Sequence, residues 1–400
     1  MQLVDEGTID RDTSTFRLRR ARRFARLARM KRIYLDHNAT SPLRAEVAER
    51  LRALLDEGCG NPGSIHREGQ RARGVLERAR SEILRSIGGE SGALTFTSGA
   101  TEANNIALLS LRAGDVLVTS RLEHPSLRDV AEVLEERGVE IRWMRHDADG
   151  RFDLESLASL LPGASLLAIT AANNELGNLN PVAEIGALCA SAGVRFHVDA
   201  AQLWGRLPFR VFEGVSSVTL SSHKAGGPVG IGALWVAEPR LYPAQSFGGQ
   251  QERGRRAGTE NVLFAAAMAE IARRVQSDEG FVRAWCGCEP LRDRLAHGLE
   301  ALGGVRNGDR LRALPNTLNM SFPGFEAEEL VMALDLEGVA ISAGSACTAG
   351  SMDVSPVIEA LGVGDERTRA ALRFSLGPLT TAAEIDEVIA RVQTVLARPR

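Results

Sequence analysis

The chain has 400 residues, 44% of them apolar, and a formal net charge of −3 at neutral pH. This length allows one large domain and a smaller one, and the slightly acidic balance argues against nucleic acid or an anionic membrane as a partner. No run approaches the roughly 18 consecutive apolar residues of a membrane-spanning helix, and five irregularly spaced cysteines indicate a reduced, cytoplasmic protein.

The N-terminal segment, residues 1–31, is set apart by its arginine content. Arg17 to Arg29 reads RLRRARRFARLAR, which suits a basic amphipathic arm or an organellar transit peptide. Acidic residues such as Asp5 and Asp10 speak against a transit peptide. We favour a third interpretation, in which translation starts at Met30 and the preceding residues are not native. If they are present, we expect them to be disordered.

From about residue 94 onward, short apolar runs alternate with amphipathic helical patterns. The apolar runs predict strands at Leu94–Thr97, Asp115–Ser120, Ile141–Met144, Leu166–Thr170, Arg195–Asp199 and Val218–Ser221. Helical patterns lie between them at Glu102–Leu111, Leu127–Arg137 and Ala183–Ala192. Continuous apolar strands separated by helices predict a mostly parallel sheet covered on both faces. In such a sheet, ligands gather at the carboxyl ends of the strands.

The pattern changes in the last third of the chain. A long helical stretch runs from Val262 to Leu302. It is followed by strands at Thr317–Phe322 and Leu372–Ser375 and by helices at Glu328–Leu336 and Ala382–Ala397. These elements predict a smaller α+β domain. We expect residues 49–288 to form the large domain, residues 289–400 the small one, and residues 32–48 to pack with the small domain.

Lysine is almost absent from the chain. Of 48 basic residues only Lys31 and Lys224 are lysines, and arginine supplies the rest. A guanidinium stays protonated, whereas a desolvated lysine can lose its proton and form a Schiff base. The retention of Lys224 therefore indicates amine chemistry, with a surface lysine that has not drifted to arginine as the alternative.

Two consecutive predicted strands end in polar residues. His197-Val-Asp199 ends one strand, and Ser221-Ser-His223-Lys224 ends the next. The carboxyl ends of parallel strands meet at one edge of the sheet, so a carboxylate, hydroxyls, an imidazole and an amine are expected there. A carboxylate at this edge can keep a pyridinium nitrogen protonated, although a turn aspartate would look the same.

Three further segments could carry chemistry. The strand-to-helix junction at 96–102 could bind phosphate through backbone amides, or could be ordinary helix capping. The polar loop at 250–261 places arginines beside Thr259, which suits an anionic group. Gly344-Ser-Ala-Cys347-Thr-Ala-Gly350 predicts an exposed, mobile loop whose thiol could travel between a substrate and an acceptor. The alternative is a chance cysteine in a loop.

Cys286-Gly-Cys288 resembles half of a metal site that no second pair completes, so no metal is expected.

These motifs closely resemble the cysteine desulfurases, within the class V branch of the pyridoxal-phosphate enzymes. The match covers nearly everything from Ile33 onward, in order, at Tyr34–Thr40 (YLDHNAT), Gly60–His66 (GNPGSIH), Thr97–Asn104 (TSGATEAN), Glu123–Pro125 (EHP), Asn173–Gly177 (NNELG), His197–Gln202 (HVDAAQ), Ser222–Lys224 (SHK), Arg255–Asn261 (RRAGTEN), Gly344–Thr348 (GSACT) and Arg373–Gly377 (RFSLG). The stretch between Cys347 and Arg373 resembles the longer-loop subgroup, which serves iron–sulfur scaffold proteins.

The resemblance implies an α/β fold, the pyridoxal-phosphate-dependent transferase fold (aminotransferase fold type I), with a mostly parallel sheet in the large domain, a smaller α+β C-terminal domain, and a homodimer. It also implies that Lys224 holds pyridoxal 5'-phosphate as a Schiff base and later moves the Cα proton. His124 would stack on the ring and assist proton transfer. Asp199 would lie at the pyridine nitrogen and Gln202 at the phenolic oxygen. The phosphate would be bound by Ala100, Thr101, Ser221, His223 and, from the partner subunit, Thr259. The substrate carboxylate would be bound by Asn174, which would also contact the cofactor, and by Arg373.

The implied activity is removal of sulfur from L-cysteine through a pyridoxal-phosphate ketimine, giving L-alanine and a persulfide on Cys347. The persulfide would pass to an iron–sulfur scaffold or to a tRNA or cofactor thiolation pathway. The enzymatic alternative is another class V enzyme, such as an aminotransferase or a selenocysteine lyase. The non-enzymatic alternative is a catalytically inactive member of the family that serves as a binding partner in a sulfur-transfer complex. Val229 departs from the family, which usually has a lysine there, at a position not expected to be catalytic.

Overall fold

The structure is a computed structural model that describes residues 31–58, 60–344 and 354–398. Cys347, Cys59 and residues 1–30 lie outside these ranges. The helices are α1 (Ala45–Glu57), α2 (Arg67–Ile87), α3 (Ala100–Leu108), α4 (Pro125–Glu136), α5 (Leu154–Leu160), α6 (Val182–Ala192), α7 (Val262–Ser277), α8 (Glu279–Cys286), α9 (Glu289–Glu300), α10 (Ala327–Leu336), α11 (Pro356–Ala360), α12 (Asp365–Arg369) and α13 (Ala382–Leu396). The strands are β1 (Ile33–Tyr34), β2 (Ala93–Thr97), β3 (Val116–Thr119), β4 (Glu140–Trp143), β5 (Leu166–Thr170), β6 (Arg195–Asp199), β7 (Ser217–Ser221), β8 (Gly232–Val236), β9 (Val305–Asn307), β10 (Thr317–Ser321), β11 (Val339–Ala340) and β12 (Ala371–Ser375).

The central sheet contains, within the described ranges, seven strands in the order β2-β8-β7-β6-β5-β3-β4. All of them run in one direction except β8, which is antiparallel to β2 and to β7. The mostly parallel sheet expected from the apolar runs is confirmed, and each of the six predicted strands is present to within one residue at either end. β8 was not predicted, because its short run lies among glycines that read as loop.

Apolar side chains cover both faces of this sheet, because neighbouring residues of one strand pack into different apolar clusters. Leu167 packs into the cluster formed with α1, α2 and α7. Its neighbours Leu166 and Ala168 pack into the cluster formed with α3 and α4. Successive side chains of a strand point to opposite faces, so a central strand such as β5 feeds two cores, whereas the edge strand β4 is only partly buried.

A second fold unit is built around the antiparallel sheet β9-β10-β12. Its core joins that sheet to α9 and α13 and includes Ile33 and Leu35 from the part of the chain that precedes α1. Val357 and Ile358 of α11 pack instead with the core of the large sheet. The domain bounds given above stay a prediction. Among the described residues, no helix has both the length and the apolar character needed to cross a bilayer.

The long helical stretch predicted from Val262 to Leu302 is corrected to three helices. Asp278 adopts an extended backbone between α7 and α8, and its side chain accepts a hydrogen bond from the Phe281 amide. It therefore ends one helix and caps the next. Pro290 lies in the first turn of α9, where its missing N–H costs no hydrogen bond. Apolar periodicity continues across both breaks, which is why it hides them.

Candidate active site

The carboxyl ends of β5, β6 and β7 meet the N-terminus of α3 and the middle of β12 around a cavity of about 390 Å³. This volume falls within the roughly 300–1,000 Å³ of small-molecule sites. Of the residues predicted from the sequence, those lining the cavity are Ala100, Thr101, His124, Asn174, Asp199, Gln202, His223, Lys224 and Arg373. Lining residues not predicted as site residues are Asn38, Ala39, Ser98, Gly99, Glu102, Ser126, Thr170, Ala172, Ala201, Val229 and Gly230.

Three predicted site residues are not in this lining. Ser221 is fully buried at the end of β7, and its Oγ has no hydrogen-bond partner among the described residues. Thr259 is exposed to solvent and lies outside the cavity wall. Cys347 falls in the range 345–353, outside the described residues. The roles suggested for all the site residues remain predictions.

Residues 38–41, which precede α1, hold Lys224 at the cavity. Lys224 follows β7 in a short 3₁₀ turn, His223–Ala225. Its Nζ donates hydrogen bonds to the carbonyl oxygens of Asn38, at 2.6 Å, and Ala39, at 2.9 Å. Its own carbonyl accepts from Ser41 Oγ at 2.9 Å. The amine is therefore aimed by backbone carbonyls.

Arg206 lies behind Lys224 and was not predicted. It is fully buried, and its guanidinium donates to the Lys224 carbonyl, to Asn38 Oδ1 and to Gln202 Oε1, the last two at 2.7 Å. Burial, and then the charge of Arg373, lowers its pKa to about 9, which still leaves it protonated at neutral pH. Arg206 thus fixes the lysine backbone and the Gln202 amide relative to each other. In a chain this rich in arginine, no sequence signal marks it.

Asp199 brings a buried carboxylate to the cavity at the end of β6. Its Oδ2 accepts from Asn104 Nδ2 at 2.7 Å, and its Oδ1 accepts from the Ala201 amide at 2.8 Å. Burial raises the pKa of this carboxyl, while the two hydrogen bonds and the charge of Lys224 act in the opposite direction. A cationic ring nitrogen placed in the cavity would favour the ionised form.

His124 presents a neutral imidazole to the cavity. It is the N-cap residue of α4, and its Nδ1 accepts a hydrogen bond from the Ser126 amide at 3.1 Å. Burial, followed by the charges of Lys224, Arg128 and Arg373, lowers its pKa to about 4. Because Nδ1 is an acceptor, the neutral ring carries its proton on Nε2.

Arg373 and Asn174 form the polar wall contributed by the smaller sheet and the loop after β5. The Arg373 guanidinium donates to the Asn174 carbonyl at 3.1 Å and to Asp36 Oδ1 at 2.8 Å. Arg373 Nε and Asn174 Oδ1 are buried and have no hydrogen-bond partner in the part of the chain that the structure describes. Buried polar atoms are seldom left unpaired, so these two are suited to a polar ligand.

The first turn of α3 offers backbone amides to an anion. Gly99 is its N-cap residue, and no side chain caps the helix there. The unpaired amides and the positive end of the helix dipole favour a phosphate at this position. His223 lies nearby in the lining and contacts Thr40 Oγ1 through Nδ1 at 3.0 Å. Burial, and then the charges of Lys224 and Arg206, lowers its pKa to about 4, so it can take part as a neutral donor.

The chain is similar to known proteins in both sequence and structure. The Aminotransferase class-V family model matches residues 33–388. A cysteine desulfurase IscS of Proteus mirabilis is 40% identical over 92% of the chain and 93% of its own length. One of Dictyoglomus turgidum is 36% identical over 93% of the chain and 96% of its own length. Among solved structures, a NifS-like protein from Rickettsia africae superposes with a TM-score of 0.83 at 30% identity, covering 92% of the chain and 100% of that protein.

Proposed function

The chain belongs to the class V aminotransferase family, within its cysteine desulfurase group, and we propose that it is a pyridoxal 5'-phosphate-dependent cysteine desulfurase. It converts L-cysteine to L-alanine and leaves the sulfur as a persulfide on Cys347. One observation carries the proposal. A lysine amine, a buried carboxylate and the open N-terminus of a helix converge on one cavity of suitable size.

The residues present fit pyridoxal 5'-phosphate. An amine at Lys224 matches the aldehyde, the carboxylate of Asp199 matches the ring nitrogen, and the amides at Ala100 and Thr101 match the phosphate. Ser221 Oγ and Asn174 Oδ1 are buried and unpaired among the described residues, which leaves hydrogen-bonding capacity for a polar group. Gln202 Nε2 donates to the Asn38 carbonyl at 3.1 Å and keeps a second hydrogen for the ring oxygen.

When bound, this cofactor supplies an electron sink that makes the Cα proton of an amino acid acidic. The chain's part is to move that proton. Lys224 Nζ, steered by the Asn38 and Ala39 carbonyls, is positioned to accept it once neutral. His124 stays uncharged at neutral pH and offers Nε2–H to the same space. The cavity floor consists of buried strand ends.

Arg373 orients the substrate. Its guanidinium is almost fully buried and held at one end by Asp36, with Nε unpaired among the described residues. A planar guanidinium matches a carboxylate in a bidentate way, so the carboxylate of L-cysteine would bind here beside Asn174. This fixes the direction in which the sulfur-bearing side chain points.

Sulfur transfer falls to Cys347. Its thiolate forms a bond to the substrate sulfur as the bond from that sulfur to the β-carbon breaks, and the β-carbon takes up a proton to complete alanine. The balance is one L-cysteine and one enzyme thiol in, one L-alanine and one enzyme persulfide out. No external oxidant is needed, and a reductant enters only when the persulfide is released as sulfide. A transaminase has no use for this thiol.

Three further parts of the proposal rest mainly on the resemblance. The enzyme acts as a homodimer, in which Thr259, exposed and outside the cavity wall of its own chain, completes the phosphate site of the partner. The persulfide passes to an iron–sulfur scaffold or another sulfur acceptor. The cytoplasm is the expected compartment, because the described cysteines are free thiols and the chemistry needs a reduced Cys347.

The test is an assay of L-alanine and sulfide with L-cysteine and a thiol reductant. The wild-type chain should form both products in equal amounts. Cys347→Ala should lose both, and Lys224→Ala should also lose the absorption band of the bound cofactor. Cys286→Ala is the matched control, because this exposed thiol has no assigned role and its loss should leave the rate unchanged. Equal activity in Cys347→Ala would refute the persulfide route, and turnover only with an amino acid and keto acid pair would favour a transaminase.

A further inference from the structure

A buried polar network joins the two groups that face the cofactor cavity from β6 and α4. Its centre is Asn104 in α3, which is fully buried and does not line the cavity. Asn104 Nδ2 donates to Asp199 Oδ2 at 2.7 Å and to Ser126 Oγ at 2.8 Å. Ser126 Oγ in turn lies 2.8 Å from His124 Nδ1. One side-chain amide therefore contacts Asp199 directly and His124 through a single hydroxyl.

The direction of each hydrogen bond follows from the chemistry of the partners. An ionised carboxylate only accepts, so the amide nitrogen of Asn104 must face Asp199. Both amide hydrogens are then used, one on Asp199 and one on Ser126. Having accepted from Asn104, the Ser126 hydroxyl gives its own hydrogen to His124 Nδ1, which also accepts from the Ser126 amide. The His124 proton is thereby confined to Nε2.

The same amide is held from its other side by His197. His197 Nε2 lies 3.1 Å from Asn104 Oδ1, which can only accept, so Nε2 carries a proton. Burial lowers the pKa of His197 to about 3, so the ring is neutral and its Nδ1 accepts from Ser217 Oγ at 2.8 Å. Ser217 Oγ accepts from the Tyr242 hydroxyl at 3.1 Å. Asn104 therefore cannot rotate its amide without breaking a chain that runs across the strands.

We propose that Asn104 is a positioning residue that couples the two sides of the cofactor site, holding the Asp199 carboxylate in place and, through the Ser126 hydroxyl, holding the His124 ring in place. The inference rests on the proposed function, since it concerns a site for pyridoxal 5'-phosphate. It goes further by assigning a role to residues that do not touch the cofactor. His197, Ser217 and Tyr242 act as the outer part of the same network and keep the amide oriented.

The main test compares two aspartate variants on the same helix. Asn104→Asp removes both donors and sets a carboxylate against Asp199. Asn105→Asp is the matched control, because among the described residues the neighbouring side-chain amide bonds only to the Thr101 carbonyl on its own helix. Cofactor affinity and the absorption band of the bound cofactor are measured for both. Asn104→Asp should weaken binding by about tenfold or more, as for the loss of a charge-assisted hydrogen bond, and shift the band. Asn105→Asp should match wild type in both.

Two further variants separate a positioning role from a general loss of folding. Ser126→Ala removes the hydroxyl that joins Asn104 to His124 and leaves the bond from Asn104 to Asp199 in place, so cofactor affinity should fall less than in Asn104→Asp while kcat falls and KM for L-cysteine is unchanged. His197→Gln keeps a donor for Asn104 Oδ1, and its cofactor band should stay closer to wild type than that of His197→Leu. Selective ¹⁵N-histidine labelling should show His124 protonated on Nε2 in both proteins, because the amide of residue 126 still donates to Nδ1, and a shifted Nδ1 resonance in Ser126→Ala, which lacks the hydroxyl hydrogen bond.

The two proposals fail in different ways. A wild-type chain that binds no pyridoxal 5'-phosphate would refute the proposed function and the network's role with it. A wild-type chain that binds the cofactor normally, alongside an Asn104→Asp variant with wild-type affinity and absorption, would overturn the network alone. An unchanged His124 Nδ1 resonance in Ser126→Ala would contradict the coupling to α4.

Discussion

Replacement of Glu252 tests how the loop that carries Thr259 is anchored. Glu252 is buried, and its carboxylate accepts from Arg80 at 2.7 and 3.0 Å and from the Phe96 amide at 3.0 Å. Glu252→Ala removes all three bonds and leaves the Arg80 guanidinium, whose side chain is 5% exposed, with Glu77 and the Leu94 carbonyl.

The expected cost follows from leaving a buried charge without its main partner. Removing one member of a buried ion pair costs about 3–5 kcal/mol of unfolding free energy. Glu252 also has a φ of 49°, in the left-handed region that is strained for any residue but glycine. Glu252→Gly relieves this strain and should be less destabilised than Glu252→Ala by about 1 kcal/mol.

Urea unfolding followed by tryptophan fluorescence measures both differences. Glu279→Ala is the control, because Glu279 pairs with Arg283 at 3.1 Å on the surface, with 91% of its side chain exposed. Its loss should change the unfolding free energy by less than about 1 kcal/mol. A Glu252→Ala variant no less stable than Glu279→Ala would refute the reasoning, as would a glycine variant less stable than the alanine one.

Other predictions concern titration, thiol reactivity and substrate binding. Burial, with a smaller effect of Asp199, raises the pKa of Glu123 from 4.5 to about 8, so between these values the folded state holds a proton that the unfolded state has lost. Unfolding free energy should therefore fall as pH rises through that window, by up to about 1.4 kcal/mol per pH unit, and Glu123→Gln should flatten the profile. Alkylation read by mass spectrometry should modify exposed Cys286 while sparing Cys189 and Cys288, because burial raises the pKa of both to about 12. Arg373→Lys should raise KM for L-cysteine by roughly tenfold to a hundredfold, since an ammonium cannot make the bidentate contact, while the cofactor band in absorption spectra stays unchanged.

Much of the fold could be predicted because buried parallel strands leave a strong local signal. Leu166–Thr170 is a nearly continuous apolar run next to an amphipathic helix, Arg195–Asp199 has two apolar residues before a terminal carboxylate, and both strands match their predicted bounds. Breaks that depend on one cap, such as Asp278, were missed because the apolar period continues through them. β8 was missed because its five residues follow a stretch of glycines and a proline that reads as loop.

Apart from the residues that the family resemblance supplies, the site was predictable only where residue type itself is informative. Lys224 stood out because lysine is rare in this chain, and Asp199 because it ends a strand. Asn38, Arg206 and Asn104 carry no such signal. Their importance lies in contacts with residues far away in sequence, for example 93 positions between Asn104 and His197 and 186 between Asn38 and Lys224. Such contacts exist only once the sheet has brought the segments together.

The central claim is that sulfur leaves L-cysteine onto Cys347 in a single transfer. Its most direct test is a single turnover of the cofactor-loaded enzyme without reductant, followed by mass spectrometry of the peptide that contains Cys347 and by quantification of L-alanine. The peptide should gain the mass of one sulfur atom, in step with one L-alanine per active site. L-alanine formed without that gain, or a gain found on Cys286 instead, would contradict the mechanism.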